Sequence, residues 1–442
     1  MLAAVCLAVF FACEGCNRTR PSGAATTITL IDQAWSSPIY QHRLNTELAE
    51  FTRQTGIRVE FLPAPETAVE QLATWRKLLE RGAEGPDVYG IDVIWPGVLA
   101  DNLLDLAPYV PQQEIATHLP ELIANNTVNS RLIALPSAFN EGLLFYRTDL
   151  LRKYGYRAPP RSWEQLESMS RRIQAAERAK GNKDFWGFVW QGAASEALTC
   201  NALEWQVSEG GGTILDENGN VTVNNPQAIR AWTRAARWVG SISPLGVTAY
   251  KEWDAGNVWQ AGQAAFLRSW ASEYFASRAR SSLIRDSFAA APLPRGSAGI
   301  AATLGGYGYG VSRHSRHPSE AVMLVRFLSG RDEQVRRSKN TTDAPTISEL
   351  YEEPGVLASN PHFPLVLEVF RNGIALRPSR AAGKMYPEVS RAYFEAVHEV
   401  LVREKSATQA ANELQDQLQR MLKTGSLRAR SAASEQQTAA RK

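Results

Sequence analysis

A chain of 442 residues is too long for one ordinary hydrophobic core, so two or more domains are expected. Hydrophobic residues at 44% and charged residues at 21% are the composition of a globular protein. Lys+Arg of 48 against Asp+Glu of 45 leaves a net charge of +3, which argues against a nucleic-acid partner or a polybasic membrane-binding face. The 12 Trp and 13 Tyr favour a stacking site for flat or ring-shaped ligands, although most such rings belong to a core.

Residues 2–12 form an apolar run, too short to span a bilayer and matched to the hydrophobic region of a secretory signal. Three of the four cysteines, Cys6, Cys13 and Cys16, precede residue 17, so with Cys200 alone the body has no disulfide framework. Cys13-x-x-Cys16 has no second ligand pair, which disfavours a metal or redox site. Val9-Phe10-Phe11-Ala12-Cys13 resembles a bacterial lipobox with Cys13 as the lipidated residue and Cys16 as the alternative. The polar stretch that follows reads as a tether. Residues 1–27 are therefore expected to export and anchor the chain at the periplasmic or cell-surface side of a membrane.

Thr27-Ile28-Thr29-Leu30-Ile31 is a first strand, 33–37 a polar loop, and 40–54 a helix carrying Leu44, Leu48 and Phe51 at helical spacing. A second strand at 57–61, a helix at 68–81 and a third strand at 88–94 complete a βαβαβ order, which implies a parallel sheet flanked by helices. Ligands bind beyond the carboxyl ends of such strands, so the 33–37 loop and the Asp92–Trp95 end should share an edge. Residues 132–147 read as a strand, a crossing and a new strand. Further helices are expected at 162–179 with Ser162 as N-cap, 196–208, 226–242, 257–264, 319–328, 361–373 and 388–422, with strands at 185–190 and 265–270. A second crossing lies at 288–294. Gly305-Gly306-Tyr307-Gly308-Tyr309-Gly310 reads as a glycine-rich turn entering a strand; with no helix after it, it is not a phosphate cradle. The tail beyond 425 reads as disordered.

Two crossings between α/β halves imply two lobes around a ligand cleft. Lobe 1 is expected from 28–138 plus 292–331, and lobe 2 from 139–291 plus 332–425. Asp92, at a strand end beside Trp95, suits a hydroxyl-bearing ligand, with a structural capping carboxylate as the rival reading. Asp87 precedes its strand and is not a site candidate. The six histidines show no ligand spacing beyond His314-x-x-His317, which argues against a metal.

Several motifs, in order, carry a resemblance. They are Asp87-Val88-Tyr89-x-x-Asp92-Val93-Ile94-Trp95-Pro96; Asn140-x-Gly142-Leu143-Leu144-x-Tyr146-Arg147; Phe188-Val189-Trp190-Gln191-Gly192; Glu196-x-Leu198-Thr199-Cys200-Asn201; Ala265-Phe266-Leu267-Arg268-x-Trp270; Leu304-Gly305-Gly306; and Arg377-Pro378 with Tyr386-Pro387-Glu388. Over 28–422 the chain resembles the extracellular solute-binding proteins of the maltose/trehalose-binding class, receptors of sugar-importing ABC transporters. The resemblance implies an α/β, two-lobe periplasmic-binding-protein fold of type II, a non-catalytic monomer without cofactor, a saccharide ligand, and an ABC permease as partner. It also implies roles. Asp92 and Asn140 would accept from sugar hydroxyls, Trp270 would stack under a pyranose ring, Gly306 would bring its backbone to the ligand and Tyr307 would add an aromatic. Arg377 would donate from the second lobe. Gln33 and Ser37 would supply first-lobe contacts, Trp190 is divided between ligand and core, and Glu196 is a second-tier contact. Trp270-Ala271-Ser272 stands where the family often has Trp-Pro-Tyr, so one aromatic contact is absent. The competing readings are a receptor for a glycerol phosphate ester or polyamine, and a glycoside hydrolase using Asp87, Asp92 or Glu141.

Overall fold

The computed structural model describes residues 26–439 apart from 37, 66 and 342. The leader with Cys13 and Cys16, most of the tether, and Ser37 lie outside the described residues. Strand β1 (Thr27–Ile31) buries Ile28 and Leu30. It pairs in parallel with β2 (Arg58–Leu62) on one side and β3 (Val88–Asp92) on the other. Helix α1 (Pro38–Thr55) lays Leu44, Leu48 and Phe51 into a core shared with Val88 and Tyr309. Helix α2 (Ala68–Glu80) starts at Thr67, whose hydroxyl accepts from the Glu70 amide, and its Trp75 indole donates to the Gly90 carbonyl at 2.7 Å. The expected βαβαβ opening is therefore present.

The centre differs from expectation. Residues 135–147 form one thirteen-residue strand, β4 (Leu135–Arg147), not a strand, a crossing and a new strand. Gly142 does not break it, because the place of its missing Cβ is taken by Glu204 Oε1 and the Arg268 guanidinium. After α3 (Trp163–Ala179), capped by Ser162, come β5 (Trp186–Val189), α4 (Glu196–Ser208), α5 (Pro226–Trp238) and α6 (Glu252–Gln260). Then follow β6 (Ala264–Trp270), α7 (Glu273–Ser277), β7 (Phe288–Ala291) and β8 (Ala302–Val311). The glycine-rich segment is thus strand interior. Its glycines are required by crowding, not by a turn: a Cβ on Gly305 would meet Asn140 Oδ1 at 2.2 Å.

Among the described residues nine strands form one sheet in the order β2-β1-β3-β8-β4-β6-β5, with β7 beside β4 and β9 (Ile374–Ala375) beside β8. β8 runs antiparallel to both β3 and β4. β4 pairs with β8 up to Glu141 and with β6 from Gly142 onward. The central pair therefore links a β2-β1-β3 side to a β6-β5 side.

Helix α8 (Pro318–Ser329) covers the first side, and α9 (Arg331–Asn340) follows. Helix α9 begins at the expected boundary and packs against elements on both sides of it, with Asn360 donating to the Thr341 carbonyl at 3.2 Å. Its buried Arg337 donates to the carbonyls of Ser137 and Leu328, both at 2.9 Å, and lies 3.5 Å from Glu47. After α10 (Phe363–Gly373), the helix expected at 388–422 is two helices, α11 (Tyr386–Leu401) and α12 (Ala407–Ala439). Arg403, at φ 65°, interrupts them. The tail expected to be disordered continues α12 to Ala439. It is rich in Ala, Arg and Ser and has no Pro or Gly to stop a helix, and Ala and Arg are strong helix formers.

Candidate functional site

Strand register gathers the candidate residues. Tyr307 of β8 lies opposite Asp92 of β3 and Ala138 of β4; Gly305 lies opposite Asn140; Gly142 lies opposite Trp270 of β6. Side chains two apart along a strand, or directly opposite across a pair, share a sheet face. Asp92, Tyr307, Asn140 and Trp270 thus form one row across four neighbouring strands, with Gly142 and Gly305 as bare backbone between them. The Trp270 Cζ3 atom approaches to 3.1 Å of where a Gly305 Cβ would stand. Asp92, Asn140 and Trp270 are half-buried, and Tyr307 is exposed.

Asp92 accepts from the Ile94 amide through Oδ1 at 3.1 Å, and Oδ2 has no hydrogen bond among the described residues. Burial pushes its pKa from 3.8 up to about 6; the Arg377 guanidinium and the Ile94 amide oppose the rise and Glu196 adds to it. Trp95 is buried edge-on against Trp75 at 6.0 Å and supports the strand end. Gln33 sits in the turn Gln33–Ser36 after β1, its side chain against Gly90 of β3, so the first turn and the β3 end share an edge as expected. The neighbouring Asp32 is buried, accepts from the Ala34 amide at 2.7 Å, and is also pushed by burial up to about 6.

Other candidates are placed differently. Trp190 is a core residue: it is fully buried against Trp205 at 5.0 Å, and its indole donates to Ser243. The apolar pocket made by α3, α4 and α5 offers a large ring more than the row does. Gly306 faces away from the row, at φ 133°, where a Cβ would meet the Ala138 carbonyl at 2.5 Å, and its own carbonyl accepts from the Val93 amide. It sets the close approach of β8 to β4 and β3. Glu196 accepts from Arg377 at 2.9 Å, Ser390 at 2.5 Å and the Tyr386 hydroxyl, a scaffold carboxylate at the start of α4. Arg377 also donates to the Leu304 carbonyl at 2.9 Å, and its buried Nε has no partner among the described residues.

The carboxylates proposed for hydrolysis do not converge. Asp87 accepts from the Thr29 amide and hydroxyl and from Ser315. Glu141 points to the opposite face, fully buried, with neither oxygen hydrogen-bonded among the described residues; burial holds its pKa well above the usual range. Arg147, further along the same strand, pairs with Asp149 at 2.6 Å. Among the described residues no group of three or more His, Cys, Asp or Glu could hold a metal ion, and no helix is long and apolar enough to cross a membrane. A cavity of about 380 Å³ lies elsewhere, lined by Tyr274, Arg278, Lys339 and Asn360 among others, and none of the candidate residues lines it.

The sequence reading passed over two groups. One is Arg43, ion-paired with Asp343 at 2.5 Å and lying over the Tyr40 ring at 5.2 Å, with Tyr40, whose hydroxyl pKa the Asp343 carboxylate holds up to about 12. Behind Trp270, Arg268 and Glu204 form a fully buried ion pair. The signal was available: Arg268 is a lone charge inside the apolar strand AAFLRSW, and such a charge needs a partner.

Residues 32–335 match the family model described as "Bacterial extracellular solute-binding protein". A Deinococcus radiodurans protein named "Probable ABC transporter-binding protein" is 43% identical over 372 residues, 84% of this chain and 88% of the relative. The structure of maltose-bound MalE3 from T. maritima superposes with a TM-score of 0.82 at 34% identity, covering 90% of this chain and 100% of that one. The GacH receptor of Streptomyces glaucescens, solved unliganded and with acarbose, superposes at 0.78 with 22% identity over 90% of this chain and 99% of that one, a likeness of fold alone.

Proposed function

The chain belongs to the bacterial extracellular solute-binding protein family, and we propose that it is the binding component of an ABC importer for a di- or oligosaccharide of the trehalose or maltose kind. The observation that carries this reading is the single-face row of Asp92, Tyr307, Asn140 and Trp270 across β3, β8, β4 and β6. A sugar ring has an apolar C–H face and a rim of hydroxyls. Trp270 offers a flat apolar surface to the first, and the uncommitted Asp92 oxygen and the Asn140 carbonyl accept from the second. Gly305 lets the Asn140 amide and the Trp270 ring close up over the strand, since a Cβ there would meet Asn140 Oδ1 at 2.2 Å and Trp270 Cζ3 at 3.1 Å. The 34% identity to a maltose-bound receptor supports the same ligand class.

The β2-β1-β3 side with α1, α8 and α9 acts as one lobe, and the β6-β5 side with α3 to α7 as the other. Among the described residues β4 and β8 are the strands that join the two sides of the sheet, at Asn140–Gly142 and Leu304–Gly306, and bending there closes the lobes on the sugar for presentation to the permease. The protein acts as a monomer, without chemistry on its ligand, and Cys13 or Cys16 anchors it at the membrane surface after export.

Calorimetric titration with trehalose, maltose and related glycosides tests the reading, with glycerol phosphate esters and polyamines as controls. Micromolar or tighter binding of a glycoside is expected. Tighter binding of a control ligand overturns the sugar reading, and release of reducing sugar at enzyme-like rates overturns the receptor reading.

A further inference from the structure

Trp270 is held from behind. The Arg268 guanidinium carbon lies 4.4 Å from the centre of the Trp270 ring, so one face of the indole is already covered by a cation. Arg268 itself cannot turn. Its Nε donates to Glu204 Oε2 at 2.8 Å, its Nη2 to Glu204 Oε1, and its Nη1 to Gln191 at 3.3 Å. Both members of the pair are essentially unexposed, at 1% and 0% of the side chain. Glu204 Oε1 also accepts from the Thr303 amide of β8 at 3.0 Å, two residues before Gly305. Gly142 makes room for the pair: a Cβ there would meet Glu204 Oε1 at 2.2 Å.

A buried ion pair is weak evidence of stabilisation, because a well-packed apolar pair of the same volume often replaces it without loss. The geometry asks for a different reason. A planar guanidinium stacks on an aromatic face, as an ammonium does not. Its plane is set here by a bidentate carboxylate that also holds the strand carrying Gly305. Resting on the assignment of Trp270 as the sugar platform, we propose that the Arg268–Glu204 pair is a positioning device: it closes the inner face of Trp270, fixes the ring plane relative to Gly305, and so decides from which side and at what height a pyranose is accepted. Arg268 acts through Trp270 and does not touch the ligand.

The test is a coupling cycle in the full chain, titrated with maltose and trehalose. Arg268→Met/Glu204→Gln removes the cation and neutralises its partner, while the glutamine carbonyl still accepts from Thr303. Arg268→Lys keeps the charge and removes the plane, and it remains available if the double variant does not fold. Each is made with and without Trp270→Ala. The expected result is an affinity loss of about tenfold for the double variant and for Arg268→Lys when Trp270 is present, and less than about twofold when Trp270 is replaced. An equal loss in both backgrounds, or no loss in either, overturns the proposal. If the unmodified chain binds neither sugar, or Trp270→Ala leaves affinity unchanged, the platform assignment falls and the proposal with it. If Trp270→Ala weakens binding and the coupling is absent, only the positioning role falls.

Discussion

The end of β3 and the end of β6 bracket the same row and are built in opposite ways. Asp92 has one backbone amide on one oxygen, nothing on the other, and charges only at a distance. Trp270 rests on a guanidinium that is tied to a buried glutamine and to a carboxylate, and that carboxylate in turn accepts from the Thr303 amide of β8. The first is tuned by burial and field and can respond to a hydrogen-bond donor or a proton. The second is tuned by packing and is indifferent to both. Substitutions in the supporting pair at the β6 end should therefore cost stability as well as affinity, whereas those at the β3 end should cost affinity without destabilising the fold.

The largest effect expected is from Arg268→Met made singly. It leaves the Glu204 carboxylate buried without its cation, a loss of about 3–5 kcal/mol. Urea unfolding measures it; a loss below about 1 kcal/mol would mean that the β6 end is not held as described. Trp190→Ala should cost a similar ~3–5 kcal/mol, since a fully enclosed ring leaves a cavity. Trp270→Ala offers the contrast: affinity for the bound glycoside drops about 10- to 100-fold, while stability falls by about 1 kcal/mol or less, because one face of that ring is not packed in the core. If the two tryptophans exchange these signatures, the placement of Trp190 in the core and Trp270 in the site is wrong.

The distinction between those two tryptophans was beyond the reach of sequence. Each ends a short apolar strand, and each lies in a motif of the family resemblance. What separates them is whether other helices close over the ring, and Trp205 and Trp238, which enclose Trp190, lie 15 and 48 residues away along the chain. The same reason hid Glu204 from Arg268, 64 residues apart. The βαβαβ opening was legible because its periodicities are local, and Asp92 was legible because a carboxylate inside an apolar strand is locally anomalous. The continuity of β4 and β8 was misread at their glycines. A glycine that serves close packing looks, in one dimension, like a glycine that serves a turn.

The smallest effect, and the sharpest test of the β3 end, is in the pH dependence. Asp92 has a folded-state pKa of about 6 against a usual 3.8, so between those values the empty folded protein holds a proton that the unfolded chain has released. Ionising it opposes folding: the stability associated with a protonated Asp92 is present below about 4 and is lost as pH rises through 6. Asp92→Asn should accordingly raise the thermal midpoint of the empty protein at pH 7. The ligand reverses the sign. Hydroxyl donors favour the charged carboxylate, so sugar binding must displace the proton, and affinity should fall about tenfold between pH 7 and pH 5. Asp92→Asn should weaken binding about tenfold at pH 7 and flatten this part of the profile. The buried Asp32, also near 6, is the competing source of such a profile. A pH dependence that survives Asp92→Asn and disappears with Asp32→Asn would move the titrating group to the end of β1 and leave Asp92 as a capping residue.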